Sequence, residues 1–172
     1  MAKVAVIMTD LFEDSEFTSP KQAIVDAGHE LDVIGPEKGA IAVGKQGEAE
    51  VEIDYSIDEV NAEDYDALLI PGGYSPDKLR GDERFLDFIR HFSKERKPLF
   101  SICHAPQLLA SADVLRGVDA TSVPRISVDV TNAGGNFINE AVVFDKSGLI
   151  SSRTPDDLPQ FNEAIVSALG QL

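Results

Sequence analysis

A single cysteine, Cys103, follows the apolar run 98–102 (PLFSI) and is itself followed by His104, Ala105 and Pro106. A buried strand that passes straight into a helix makes a sharp turn that holds a nucleophile clear of the sheet, and a helix N-terminus favours the thiolate and lowers its pKa. A lone cysteine is ordinarily an inert buried side chain, but this position predicts a reactive sulfur. His104 stands beside it as a candidate proton relay. Gly72 and Gly73 end a second apolar run, 66–70 (DALLI), where missing Cβ atoms let backbone N–H groups approach a substrate oxygen as an oxyanion hole. Alone, Pro-Gly-Gly is more often only a turn. Glu13, Asp14 and Glu16 form an acidic run after the first strand, and a carboxylate there would share a proton with the thiol. The ordinary role of such a run is to open a helix against its dipole, and spacing does not say which member is functional.

The elements that must position these residues follow from periodicity. Residues 3–9 (KVAVIMT) read as a strand and 19–28 as a helix with a glycine stop; 30–34 (ELDVI) is a second strand, ended by Gly35-Pro36. Segments 41–43 and 48–53, joined by GKQG, read as an antiparallel ribbon. The runs 66–70 and 98–102 are nearly all apolar, as expected of strands covered on both faces of a parallel sheet. Between them, 85–92 (FLDFIRHF) places bulky residues on one helix face, and a further helix is expected over 104–112. Strands at 141–144 and 148–152 precede a closing helix over 155–169, with Thr154 as its expected N-cap and Asp156 and Asp157 in its first turn. Strand alternating with helix throughout predicts one α/β domain over residues 1–172, a doubly wound, flavodoxin-like, mainly parallel sheet sandwiched by helices, with a small antiparallel ribbon. Its sites are expected outside the carboxyl ends of the strands.

Composition removes several classes of function. The chain has 172 residues, 43% of them hydrophobic, enough for one core. Fifteen Lys and Arg against thirty Asp and Glu give a net charge of −15, so no stable nucleic-acid complex and no docking to anionic membranes is expected. One cysteine forms no internal disulfide, and histidines at 29, 91 and 104 lack the spacing of metal ligands on one helix face; no metal is expected. The N-terminus has neither the basic start nor the long apolar stretch of a signal peptide, and no run reaches membrane-spanning length. A cytoplasmic location with a reduced thiol is expected.

The segments FEDSEFTSP, DALLIPGGYSPDKLRGD, the strand into CHAPQLL, and SRTPDDLPQFN resemble the PfpI endopeptidase family. This is the branch of the class I glutamine-amidotransferase-like superfamily that includes the parkinsonism-associated deglycase, and the likeness is strongest to bacterial deglycase-like general stress proteins. It runs from about residue 3 to 170 with every motif in order. The resemblance implies Cys103 as nucleophile, His104 beside it, Glu16 as the carboxylate contacting the thiol, and Asp77 as the acid that reaches His104 across a subunit interface. Without the family, Asp77 reads as a turn or helix-cap residue. Where the family usually writes CHGPQ, this chain has Ala105. Lying before Pro106, that residue is expected to be extended, a conformation alanine adopts easily. Tyr74 is a variable position that would line the pocket without offering a base. Because no histidine lies beyond Cys103 except its neighbour, a glutaminase triad is not expected; and because DLFEDSE lacks a phosphate-cradling glycine loop, neither is a flavin or nucleotide cofactor.

Three activities follow from the resemblance. In the first, Cys103 attacks a small aldehyde or an early glycation adduct, with Glu16 and His104 moving protons. In the second, the chain senses oxidants or acts as a stress chaperone, and Cys103 is oxidised to a sulfinate. The third is peptidase chemistry, with an oxyanion held near Gly73 and His104. A homodimer or higher homo-oligomer is expected with any of them, since Asp77 serves His104 only from a neighbouring chain.

Overall fold

The computed structural model describes residues 1–172. Its first strand, β1 (Lys3–Ile7), leads to helix α1 (Asp14–Asp26), β2 (Glu30–Gly35), the ribbon β3 (Ile41–Val43) and β4 (Glu50–Glu52), and the short edge strand β5 (Tyr55–Ser56). There follow β6 (Ala67–Ile70), α2 (Ser75–Leu79), α3 (Glu83–Lys94), β7 (Leu99–Ile102) and α4 (Pro106–Ser111). The chain ends with β8 (Asp119–Ala120), α5 (Ser127–Asn132), β9 (Asn136–Phe137), β10 (Val142–Phe144), β11 (Leu149–Ser152) and α6 (Leu158–Gly170).

Seven strands form one sheet in the order β10-β11-β7-β6-β1-β2-β5. All neighbours are parallel except β10, which runs antiparallel to β11 at one edge. Each central strand feeds both faces of the sheet. In β1, Ala5 and Ile7 join a core shared with Phe85, Ile89 and Phe92 of α3 and Leu108 of α4, while Val4 and Val6 join one shared with Phe17 and Ile24 of α1 and Phe161 and Ile165 of α6. Two buried faces leave no position for alternating polar residues, hence the continuous apolar run of β6 and the nearly continuous one of β7, where the small Ser101 is the exception. The apolar side chains of α3 recur on one face, and Asp82 caps it by accepting the Arg84 N–H at 3.1 Å.

Four expectations need correction. Helix α1 begins at Asp14 rather than at residue 19, so Pro20 lies inside it and Glu16 belongs to its first turn, not to a connection. Helix α4 begins only at Pro106, leaving Cys103 to Ala105 in a turn. Thr154 makes no side-chain cap: a 3₁₀ turn, Pro155–Asp157, comes before α6, and the Asp157 carboxylate is held by Arg153 at 2.9 Å and 3.0 Å. Ala105 is not extended but has helical dihedrals, φ −55° and ψ −32°. Because that φ is negative, alanine still fits where the family writes glycine, and its methyl group is fully buried against the core. A second small sheet, β8 with β9, also forms; its strands have two residues each, too short for periodicity to show.

Candidate active site

The carboxyl ends of β6 and β7 lie side by side, since Ile70 pairs with Ser101, and this brings the Gly72-Gly73 turn next to Cys103. Cys103 has φ +63°, a left-handed conformation that costs a non-glycine residue about 1–3 kcal/mol and persists only where its surroundings enforce it. Here the enforcement is visible. The Cys103 N–H donates to Ser152 O of β11 at 3.1 Å, its carbonyl accepts the Val123 N–H at 3.1 Å, and the Ala105 N–H closes the turn onto Ile102 O at 3.0 Å. The elbow expected from sequence is therefore present, as a turn of three residues between strand and helix.

Glu16 reaches this elbow from the first turn of α1. It is fully buried; its Oε1 accepts the Gly72 N–H at 2.8 Å, its Oε2 has no hydrogen-bond partner, and its charge is coupled to that of the Cys103 thiol. A Cβ on Gly72 would stand 2.4 Å from that Oε1 and 3.0 Å from Cys103 Cβ, so only glycine lets acid and thiol meet. The Gly72 N–H expected to bind an oxyanion thus binds the carboxylate instead. The Tyr74 N–H is committed as well, to Leu11 O at 2.8 Å. Gly73 has φ +77° and is bridged to Phe12, which ties the turn to the segment leading into α1.

Electrostatics couple the two groups. Burial pushes the Glu16 carboxyl up to about 8, against the opposing pull of the Gly72 N–H. The Cys103 thiol is also pushed up, by burial first and then by the Glu16 charge, with the His104 backbone N–H offsetting only part. The helix-dipole lowering expected from sequence is not realised, because α4 starts too late and the thiol is too dry. Two anions cannot coexist in this space, so acid and thiol act as one titrating pair that gives up its first proton at Glu16.

His104 Nδ1 lies 3.3 Å from Cys103 Sγ. Burial, followed by the charges of Arg125 and Lys45, lowers its pKa, so the ring is neutral at pH 7 and serves as a hydrogen-bonding partner of the sulfur. Tyr74 is 54% exposed, with Lys45 Nζ 5.1 Å from its ring centre. Asp77 lies on the exposed side of α2, paired with Arg80 at 3.7 Å, and the fold does not bring it to His104 within one chain. Of the expected residues, then, Cys103, His104, Glu16, Gly72 and Gly73 converge, Tyr74 rims them, and Asp77 stands apart.

The other acids of the run have different tasks. Asp14 is buried and accepts N–H groups of Gln46 (2.7 Å), Glu48 (2.9 Å) and Ala49 (2.8 Å). Burial alone would raise its pKa, yet these backbone donors outweigh burial and hold it low, anchoring the ribbon to α1. Glu13 pairs with Lys45 at 3.7 Å. Sequence reasoning passes over Lys45 and Arg125, since nothing in their local spacing ties either one to the elbow. No three His, Cys, Asp or Glu side chains are grouped to hold a metal, and no helix is long and apolar enough to cross a membrane.

The site thus sets a strained cysteine at a strand end beside a buried glutamate from the first helix of a doubly wound sheet. The chain belongs to the DJ-1/PfpI family, whose model matches residues 2–168. It is 56% identical over 168 residues to Protein/nucleic acid deglycase 2 of Escherichia coli, covering 98% of each chain. It is 53% identical over 167 residues to General stress protein 18 of Bacillus subtilis, covering 97% of each. Among solved structures, a two-domain protein from Anabaena variabilis with DJ-1/ThiJ/PfpI-like and ferritin-like domains superposes with a TM-score of 0.96 at 38% identity, over 99% of this chain and 48% of that one.

Proposed function

We propose that the protein is a stress-response enzyme without a cofactor, in which Cys103 attacks reactive aldehydes or early glycation adducts. The observation that carries this reading is the buried Glu16–Cys103 pair, whose acid is poised near neutrality for proton transfer to and from a reacting carbonyl. The names of the deglycase and general stress relatives support it. With methylglyoxal, Glu16 takes the thiol proton as sulfur bonds to the aldehyde carbon, and returns it to the carbonyl oxygen to give a hemithioacetal. Removal of the C–H proton and its return to the neighbouring carbon move the oxidation level within the molecule. The aldehyde carbon becomes a thioester, the ketone an alcohol, and no external oxidant is consumed. Water then releases lactate and restores the thiol. His104 holds the sulfur in place throughout. Peptidase chemistry ranks lower, because the buried thiol beside Glu16 suits a small carbonyl better than an extended polypeptide, for which a domain of 172 residues with short loops offers little cleft. Purified protein incubated with methylglyoxal should form lactate equal to the aldehyde lost, and absence of lactate would defeat the proposal.

Completion of this site by a second chain is part of the same proposal. Asp77 is exposed, and a homodimer that sets α2 against a neighbouring elbow would fix the His104 tautomer. Asp77→Ala should lower turnover about tenfold while leaving the urea midpoint of the chain unchanged. Analytical ultracentrifugation that found a fully active monomer would reduce Asp77 to a surface partner of Arg80.

A further inference from the structure

The first turn of α1 directs its acids away from the helix itself. Glu13, at the N-cap, makes no side-chain cap. Glu16 is turned toward Gly72, and the Asp14 carboxylate, buried, is enclosed by the turn of residues 44–49. Tertiary contact therefore fixes where the helix starts, and it comes from two sides. On the elbow side, the Glu13 N–H donates to Gly72 O at 3.2 Å and the Tyr74 N–H to Leu11 O at 2.8 Å. On the ribbon side, the Leu11 N–H donates to Val43 O and the Lys45 N–H to Phe12 O, both at 2.8 Å, while Asp10 Oδ1 accepts the Val43 N–H at 2.9 Å. Asp14 adds three bonds to that side, from the N–H groups of Gln46, Glu48 and Ala49.

Asp14 is the strongest of these ties. Bonds from backbone N–H groups to an ionised carboxylate are charge-assisted and stronger than those between neutral groups. The fit is also steric. A Cβ on Gly44 would overlap both Asp14 carboxylate oxygens, just as one on Gly72 would overlap Glu16 Oε1. Each buried acid of the turn is thus received by a glycine, one in the ribbon and one beside the elbow. Asp14 and Glu16 stand two residues apart in one hydrogen-bonded turn, where the Glu16 N–H donates to Glu13 O at 3.0 Å, so a shift at one is passed to the other. Glu16 has little of its own to resist it. Its side chain keeps a single hydrogen bond, to Gly72, and Oε2 has none.

We propose that Asp14 is a positioning residue: by gripping the turn 44–49 it fixes the first turn of α1 at the depth where Glu16 meets the Cys103 thiol. This rests on the reading of Glu16 and Cys103 as the reacting pair, but the grip itself can be tested without turnover. Because Cys103 is the sole cysteine, intact mass reports its alkylation by uncharged iodoacetamide. Above about pH 8 the ionised Glu16 holds the thiol protonated, so at about pH 9 wild type should react about tenfold more slowly than E16Q. D14N, whose amide turns a donor toward backbone donors, should remove most of that lag. G44A should do the same while keeping every acid of α1, since it displaces the Asp14 carboxylate from a position whose φ alanine tolerates. Either variant suffices if the other folds poorly. In the E16Q background D14N should alter the rate less than about twofold, because a residue that acts through Glu16 has nothing left to position; mere loosening of the fold would speed alkylation there as well. Aldehyde turnover by D14N and G44A should fall about tenfold in kcat with KM little changed. A wild type no slower than E16Q, alkylation unmoved by D14N and G44A, or an equal rise with and without Glu16 overturns the inference. A wild type that forms no lactate while the alkylation pattern holds refutes the aldehyde enzyme and leaves the role of Asp14 standing.

Discussion

Cys103→Ala and Glu16→Gln should each abolish aldehyde turnover, by about 10³-fold or more, and the double variant should be no worse than either alone. Two groups that share one proton form a unit, so removing either member removes the function of both. Glutamine is the informative replacement at position 16. Its Oε1 still accepts the Gly72 N–H that the carboxylate accepts at 2.8 Å, so the turn is held while proton transfer is lost. The pH dependence separates this from a structural effect. In wild type, turnover should rise with pH toward about 8 as Glu16 ionises and can take the thiol proton. In stability the sign is reversed. A carboxyl raised from 4.5 to about 8 binds more protons folded than unfolded across that interval, so folding is penalised increasingly as pH climbs through it, and fully above about 8. Glu16→Gln removes that penalty. Its melting temperature should match or exceed that of wild type, by a margin that widens from pH 5 to pH 8. An active Glu16→Gln, or one whose stability falls relative to wild type as pH rises, would refute the shared-proton site.

How legible this site is in the sequence depends on whether the relevant physics is local. The sheet can be read because β6 and β7 are apolar on both faces, a property of consecutive residues. The elbow can be read because a cysteine that closes such a strand, three residues before a proline that opens a helix, has to sit in the turn between them. The partner acid cannot, as Glu13, Asp14 and Glu16 look alike in sequence, and their roles separate only through contacts with Lys45, with the N–H groups of Gln46, Glu48 and Ala49, and with Gly72. Family resemblance selects Glu16, and the fold supplies the physical reason. The thiol's environment escapes the sequence for a related cause. Adjacency suggests a helix N-terminus, but the turn of Cys103, His104 and Ala105 delays α4 to Pro106 and burial outweighs the dipole. The Pro-Gly-Gly turn likewise offers the Gly72 N–H to an oxyanion, and only the folded backbone directs it at Glu16.

Gly73→Ala should be the most damaging of the conservative substitutions near the site. With φ +77° the position is left-handed, which costs an alanine about 1 kcal/mol. That alone would be tolerable. The added Cβ, however, would stand 2.5 Å from Glu13 N, 2.5 Å from Leu11 O and 2.8 Å from Phe12 C. All three are backbone atoms, so no rotamer change relieves the contact, and the segment leading into α1 must move. A loss of about 3 kcal/mol or more in urea denaturation is expected. Turnover should fall with it, since the displaced segment carries Glu16 away from Cys103. Gly28→Ala provides the control: at φ +89° it has the same handedness, yet nothing lies within 4 Å of its added methyl group, so it should lose only the conformational cost and keep full activity. Equal destabilisation of the two variants would mean that the bridge between Phe12 and Gly73 yields freely, and then the close approach of that turn to α1 could not be what holds Glu16 against the thiol.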